Sequence, residues 1–278
     1  MTKTLVKPGQ PRSAVVTGGA RGIGRAIAAE LVGHGYQVVV TDIDAESAKV
    51  TAGEIGAPLG LGLDVTDPAA TRGVAEEARI LAPLGAWVCN AGVGFDGDLS
   101  DLTEAQIRTL VDVNILGVVW GSRIATDVFR AQAAEGTKGG DIGVTASLSS
   151  HGPVPGLSMY AATKAAALSL VTSLHVELKK DKIRVHAICP DGVNTQMVRE
   201  METGGHAQAL VASGTFFQPA QVARELVDMF GTRRVYRTMP VWRGVQQRVT
   251  AIAPGPMMRF EPILQRVGRR KIRKGKFV

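Results

Sequence analysis

Cysteine is nearly missing from this chain: Cys89 and Cys189 are the two in 278 residues. Both stand at the ends of apolar runs that read as strands, so buried free thiols in a reducing compartment are expected, and a disulfide scaffold or a cysteine metal site is not. No uninterrupted apolar run approaches the roughly 20 residues a membrane span needs. The opening residues, MTKTLVKPGQPRS, lack the apolar core of a secretory signal. A cytoplasmic location is the resulting expectation. The histidines at 34, 151, 175, 186 and 206 show neither metal-ligand spacing nor a triad arrangement, and no metal is expected. There is no internal repeat and no Pro-, Gly- or Ser-rich linker, so residues 1–258 read as one domain.

Acidic residues are scarce at one end only. From Arg259 onward there are eight Lys/Arg (259, 266, 269, 270, 271, 273, 274 and 276) against Glu261 alone, whereas residues 1–258 carry 24 basic and 24 acidic side chains. The formal charge of +7 therefore belongs to a basic tail, 259–278. Three fates are open to it: a solvated or disordered tail, a peripheral contact with anionic membrane, or nucleic acid. Nothing in the body offers a nucleic-acid reading motif, so nucleic acid ranks last and is not expected as a partner.

What is abundant is alternation. Short apolar, β-branched runs at 14–19, 37–42, 59–65, 86–92, 141–147 and 183–190 alternate with helical patterns near 22–34, 45–54, 68–82, 103–132, 158–180 and 219–230. The runs are apolar throughout, as in strands buried on both faces. The expected fold is α/β, a single-domain Rossmann-like, doubly wound parallel sheet of about seven strands flanked by helices, with 235–241 supplying the seventh. Thr103 and Gln106 have the spacing of a capping box. Residues 191–218 and the end beyond Pro254 read as irregular.

The first strand runs into TGGARGIG, placing Gly18, Arg21, Gly22, Ile23 and Gly24 between strand and helix. Glycines here permit a tight turn and close backbone approach to a pyrophosphate, which the helix N-terminus can bind. Asp42, followed by Ile43, ends the second strand. Its carboxylate can accept both hydroxyls of an adenosine ribose and would repel a 2′-phosphate, which favours NAD over NADP. Arg21 argues the other way, and a helix N-cap is the competing role for Asp42. In the helical stretch SMYAATKAAAL, Tyr160 and Lys164 share a face at i and i+4. A lysine ammonium beside a phenol lowers the phenol's pKa, and Ser147, thirteen residues upstream, ends the fifth strand.

These motifs together, TGGARGIG, Asp64-Val65, Asn90-Ala91-Gly92, Asn114, Ser147 and Tyr160-x3-Lys164, resemble the short-chain dehydrogenase/reductase family over roughly residues 12–200. The resemblance implies a nicotinamide-dependent oxidoreductase interconverting a secondary alcohol and a ketone. It implies that Tyr160 is the acid/base, that Lys164 holds the nicotinamide ribose, that Ser147 orients the substrate oxygen, and that Asn114 holds a water relaying protons to Lys164. Asp64 with Val65 would contact the adenine, Asn90, Ala91 and Gly92 would line the cofactor, and Pro190, Val193 and Thr195 would close over the nicotinamide. A homotetramer or homodimer is also implied. Two departures stand out: Cys89 where the family usually has Asn, and Asp191-Gly192 after Pro190 where it usually has one glycine. Gly192 is expected to take the unusual backbone conformation. Ser149, His151, Met197, Phe216 and Phe217 are the substrate candidates, the last three hinting at an apolar substrate. The rival reading is a catalytically idle nucleotide-binding module that senses cofactor or presents the basic tail to a membrane or partner.

Overall fold

The computed structural model describes residues 5–7, 9–195, 212–255, 259 and 261–273. In chain order the strands are β1 (Ser13–Thr17), β2 (Gln37–Asp42), β3 (Leu59–Gly62), β4 (Leu84–Cys89), β5 (Gly140–Thr145), β6 (Ile183–Pro190), β7 (Gly192–Val193), β8 (Phe216–Phe217) and β9 (Tyr236–Met239). Seven form one parallel sheet in the order β3-β2-β1-β4-β5-β6-β9, and β7 pairs with β8 separately. The strand order reverses between β1 and β4. A crevice therefore opens at their carboxyl ends, where a doubly wound sheet binds its ligands.

The helices are α1 (Gly22–Gly33), α2 (Ala45–Ile55), α3 (Pro68–Leu81), α4 (Glu104–Val111), α5 (Gly117–Ala134), α6 (Ser158–Glu177), α7 (Pro219–Val227), α8 (Val241–Ile252) and α9 (Glu261–Arg273). Successive strand residues feed opposite faces. Val15, Trp87 and Ile142 pack with α3, α5 and α6 on one side, while Ala14, Val16, Val88 and Ile188 pack with α1, α2 and α7 on the other. Each fully buried Leu or Ile in these layers contributes about 1.5–3 kcal/mol over an exposed one. Short polar side chains set the helix starts. Asp44 accepts from Glu46 N and Ser47 N at α2, Asp67 does the same for α3 ahead of Pro68, and Thr103 and Gln106 form the expected capping box at α4.

Four expectations change. The long helix over 103–132 is interrupted by a π-helical turn, Asp112–Leu116, between α4 and α5. The segment read as irregular contains the β7–β8 pair. Strand β9 stops at Met239, and Pro240 becomes the N-cap of α8, a helix the sequence pattern did not reveal. Within the basic end, Glu261–Arg273 is helical and tied down: Lys271 Nζ donates to Ser213 O at 3.3 Å and Gly214 O at 3.0 Å. The end read as irregular is thus helical there and anchored through Lys271, with Ile263, Arg266, Val267, Arg269 and Arg270 exposed. Among the described residues no helix is long and apolar enough to cross a membrane.

Candidate active site

The crevice is a cleft of about 940 Å³ at the carboxyl ends of the central strands. It is lined by Gly18, Arg21, Gly22, Ile23 and Gly24 from the first turn, by Asp42 and Ile43 at the end of β2, and by Asp64 and Val65 after β3. Gly18 and Gly22 have φ of +60° and +55°, a region that favours glycine. A Cβ on Gly24 would run into Gly18 O and the Asn90 side-chain amide. Helix α1 has Arg21 as its N-cap residue but no side-chain cap, unlike α2, α3 and α4, so its first N–H groups face the cleft without that competitor. The turn thus fits the pyrophosphate of a dinucleotide.

Asp42 is not the cap of α2; Asp44 is. Asp42 instead braces the glycine turn, its Oδ2 accepting from Ala20 N at 3.1 Å and its Oδ1 from Asp44 N at 3.4 Å. Hydrogen bonds from Ser47 hold the Asp44 carboxyl below its ordinary range, with Arg21 adding a smaller electrostatic pull in the same direction. Arg21 is thus drawn toward a carboxylate. Asp64 Oδ1 accepts from Thr66 N and Oγ1, which fixes the turn after β3.

Asn90 is the hub of the cleft floor. Its Nδ2 donates to Thr17 O (3.0 Å) and Gly18 O (2.9 Å), and its Oδ1 accepts from Thr145 Oγ1 (3.0 Å), joining β1, β4 and β5. Ala91 and Gly92 continue along the wall. Asn114, fully buried in the π-helical turn, accepts from Val93 N at 2.9 Å and donates to Val93 O at 2.9 Å and Thr163 Oγ1 at 3.1 Å. Its side chain clamps the segment after Gly92 to α6. A Cβ on Gly92 would lie 3.1 Å from Asn114 Oδ1 and 3.2 Å from Lys164 Nζ, so the three converge.

Tyr160 and Lys164 both project from α6 into the cleft. Lys164 Nζ donates to Thr145 O at 2.9 Å and lies 5.7 Å from the centroid of the Tyr160 ring. Burial pushes the Lys164 pKa down to about 8, the nearby Cys189 opposing the shift. For Tyr160, burial raises the pKa and a hydrogen bond shared with the Ser147 hydroxyl counteracts it. The expected lowering of the phenol by Lys164 is therefore not what the protein groups produce by themselves. The ammonium is committed to a carbonyl, and desolvation of the phenolate dominates. Strand β5 stops at Thr145, short of the expected 147; Ser147 lies two residues beyond it in extended conformation and caps the 3-10 turn Leu148–His151, accepting from Ser149 N at 3.2 Å.

Residues 12–205 match the family described as short chain dehydrogenase. The chain belongs to that family. The short-chain dehydrogenase fogB of Aspergillus ruber is 30% identical over 252 residues, covering 81% of this chain and 92% of fogB. The probable oxidoreductase EphD of Mycobacterium tuberculosis is 35% identical over 199 residues, 69% of this chain but 32% of EphD. The chain thus matches about a third of that longer relative. Among solved structures, a 3-ketoacyl-(acyl-carrier-protein) reductase from Brucella melitensis, complexed with NADH, superposes with a TM-score of 0.75 at 25% identity. That match covers 85% of this chain and 98% of the reductase.

The far half of the cleft holds what the sequence hid. Arg243, Gln246, Gln247 and Thr250 of α8 form one wall, and Phe95, Pro153 and Val154 are apolar parts of another. Ser149 lines the cleft with its Oγ buried and without a hydrogen-bond partner. His151 does not enter the cleft: it turns to Thr238 Oγ1 (2.9 Å) under Arg248, and burial lowers its pKa to about 4. Phe216 and Phe217 do not line the cleft either. Phe216 packs on Gly192 and Phe217 on the core. Met197 lies outside the described residues. Pro190, Val193 and Thr195 do line it, and a Cβ on Gly22 would lie 3.4 Å from Thr195 Cγ2, which places the loop opposite the glycine turn.

Both departures from the family pattern have structural partners. Cys89 is buried among Val118, Ser122 and Trp87, and desolvation pushes its thiol up to about 12. Gly192 has no positive φ; it is an extended residue of β7 whose missing Cβ admits the Phe216 ring. Asp191 is buried and pairs with Arg243 Nε at 3.2 Å while accepting from Thr215 N at 2.9 Å. That pair ties the loop beyond β6 to α8.

Proposed function

We propose that the chain is an NAD(H)-dependent dehydrogenase or reductase of a secondary alcohol and its ketone, with Tyr160 as acid/base. The observation that carries this reading is the placement of Ser147, Tyr160 and Lys164 along one wall of the cleft that also contains the glycine turn. The bound nicotinamide would supply or accept the hydride. Glycines 18, 22 and 24 and the uncapped α1 would hold the pyrophosphate. Asp42 would take the adenosine ribose hydroxyls, a role supported by Asp44 being the helix cap. NAD over NADP follows, since a 2′-phosphate would meet the Asp42 carboxylate.

In the reducing direction, Ser147 would hold the substrate carbonyl oxygen and Tyr160 would hand it the phenolic proton. In oxidation the phenolate would take that proton back. Lys164 would hold the nicotinamide ribose and add positive charge near the phenol, and Asn114 would fix the wall between them. Raised by burial, the Tyr160 phenol is protonated at neutral pH, which supports reduction as the direction favoured there. The apolar wall at Phe95, Pro153 and Val154 supports an apolar ketone, with the Ser149 hydroxyl as a further contact. A homodimer or homotetramer is proposed as well, since the outer face of α6 carries Ala162, Ala165, Ser169 and Ser173, small side chains that admit a second helix. We place the dehydrogenase domain at 1–258 and the basic segment at 259–278. The test is NADH-linked turnover on a panel of ketones and alcohols, comparing wild type with Tyr160→Phe.

A further inference from the structure

Helix α8 has two faces with different surroundings. Arg243, Gln246, Gln247 and Thr250 line the cleft. Val241, Val245, Val249 and Ile252 recur at spacings of four, four and three along the other side, with Trp242 beside them, and all five are exposed, Ile252 to 85% and Trp242 to 61%. One helix therefore separates the cleft from an outward apolar stripe. Monomeric soluble domains rarely expose so contiguous an apolar face without a use for it.

Helix α9 meets the same rim. Lys271 holds it to Ser213, which lines the cleft, and to Gly214. It exposes Ile263 and Val267, one turn apart, together with Arg266 and Arg270. The charge is confined to this end of a chain whose first 258 residues are balanced. A basic helix with exposed aliphatic side chains, beside an apolar stripe, matches a surface that is at once anionic and apolar. A second copy of the chain would bring an equally basic α9 to the contact and repel it.

We propose that α8 and α9 form a docking surface for an anionic lipid bilayer at the rim of the cleft. Bound there, the protein would receive an apolar substrate dissolved in the membrane without its crossing bulk water. Docking is a binding event separate from the chemistry, so its failure would leave the oxidoreductase reading untouched.

The test is co-sedimentation of the full chain with phosphatidylcholine vesicles, with and without phosphatidylserine, at low and high salt. The expected result is binding to the phosphatidylserine vesicles, loss of that binding at about 1 M salt, where the Debye length falls to about 3 Å, and a blue shift of tryptophan emission as Trp242 leaves water. Arg266→Gln/Arg270→Gln should weaken partitioning roughly thirtyfold. Val245→Glu/Val249→Glu should weaken it by at least about tenfold. Unchanged NADH titrations would certify that both variants are folded. The proposal is overturned if the full chain ignores anionic vesicles. It is also overturned if the valine variant binds them as wild type does, which would assign binding to tail charge alone. A third contrary result is a smaller particle for that variant by light scattering, with vesicle binding unchanged, which would make the stripe a contact between copies.

Discussion

Arg243→Met tests whether the loop beyond β6 is held by a buried charge. In the native protein the Asp191 and Arg243 side chains are 7% and 9% exposed and 3.2 Å apart. Burial already lifts the Asp191 carboxyl above its ordinary 3.8, and Arg243 is the largest force opposing that rise. Remove the guanidinium, and Thr215 N and Gly192 N remain as hydrogen-bond partners. A buried carboxylate left so is costly, and protonation caps the cost. Drawing a proton at pH 7 onto a group with an unfolded pKa of 3.8 costs about 4 kcal/mol, and at pH 5 about 1.6 kcal/mol, at about 1.36 kcal/mol per unit. The sign follows from linkage. With its carboxyl pKa raised, the folded variant binds more protons than the unfolded chain, so its stability falls as pH rises from 4 to 7. Loss of the Arg243 contact with the Trp242 ring, 5.7 Å away, adds about 0.5–1 kcal/mol at every pH. Urea unfolding of wild type and variant at pH 7 and pH 5 reads both parts, and Asp191→Asn/Arg243→Met should recover most of the loss and its pH dependence. A penalty below about 1 kcal/mol at pH 7, or one equal at both pH values, would refute the reasoning.

Other consequences are as concrete. Asp42→Ala should narrow the preference for NAD over NADP by roughly tenfold or more, the worth of a charge-assisted hydrogen-bond pair. It should leave α2 in place because Asp44 caps it; an unchanged ratio of the two Kd values would remove Asp42 from cofactor recognition. Gly24→Ala should weaken NADH binding at least about tenfold and cost about 1–3 kcal/mol of stability, because the new methyl meets Gly18 O and the Asn90 amide. NADH binding like that of wild type would show the turn can open. The pH profiles of the two directions should diverge. With the Tyr160 pKa raised by burial, reduction needs the phenol and should hold steady across neutral pH. Oxidation needs the phenolate and should climb about tenfold per pH unit; parallel profiles would exclude Tyr160 as the proton carrier.

The parallel sheet was legible because strands covered on both faces are written as apolar runs, and the glycine-turn half of the cleft because the glycines and Asp42 occupy strand ends that the pattern locates. The break at Asp112–Leu116 left no trace, since VDVNILGVV keeps a helical rhythm through it. Asp42 and Asp44 could not be told apart as caps until the first residue of α2 was fixed. His151 follows Ser147 closely in sequence, yet the 3-10 turn rotates it toward Thr238 and away from the cleft. Helix α8 was missed because its apolar residues face outward and its polar ones face the cleft, the reverse of a core helix. Its Pro240 cap and the i, i+4 spacing of Val241, Val245 and Val249 were the available signals.

The central claim is that Tyr160 moves the proton. The direct measurement is the NADH-linked rate of wild type and Tyr160→Phe on the best substrate of a ketone and alcohol panel, with NADH affinity measured alongside. The account predicts a loss of about 10²–10⁴ in kcat with cofactor Kd nearly unchanged. A panel on which no substrate gives a tyrosine-dependent rate, in a protein that still binds NADH, would contradict it and leave a nucleotide-binding module in its place.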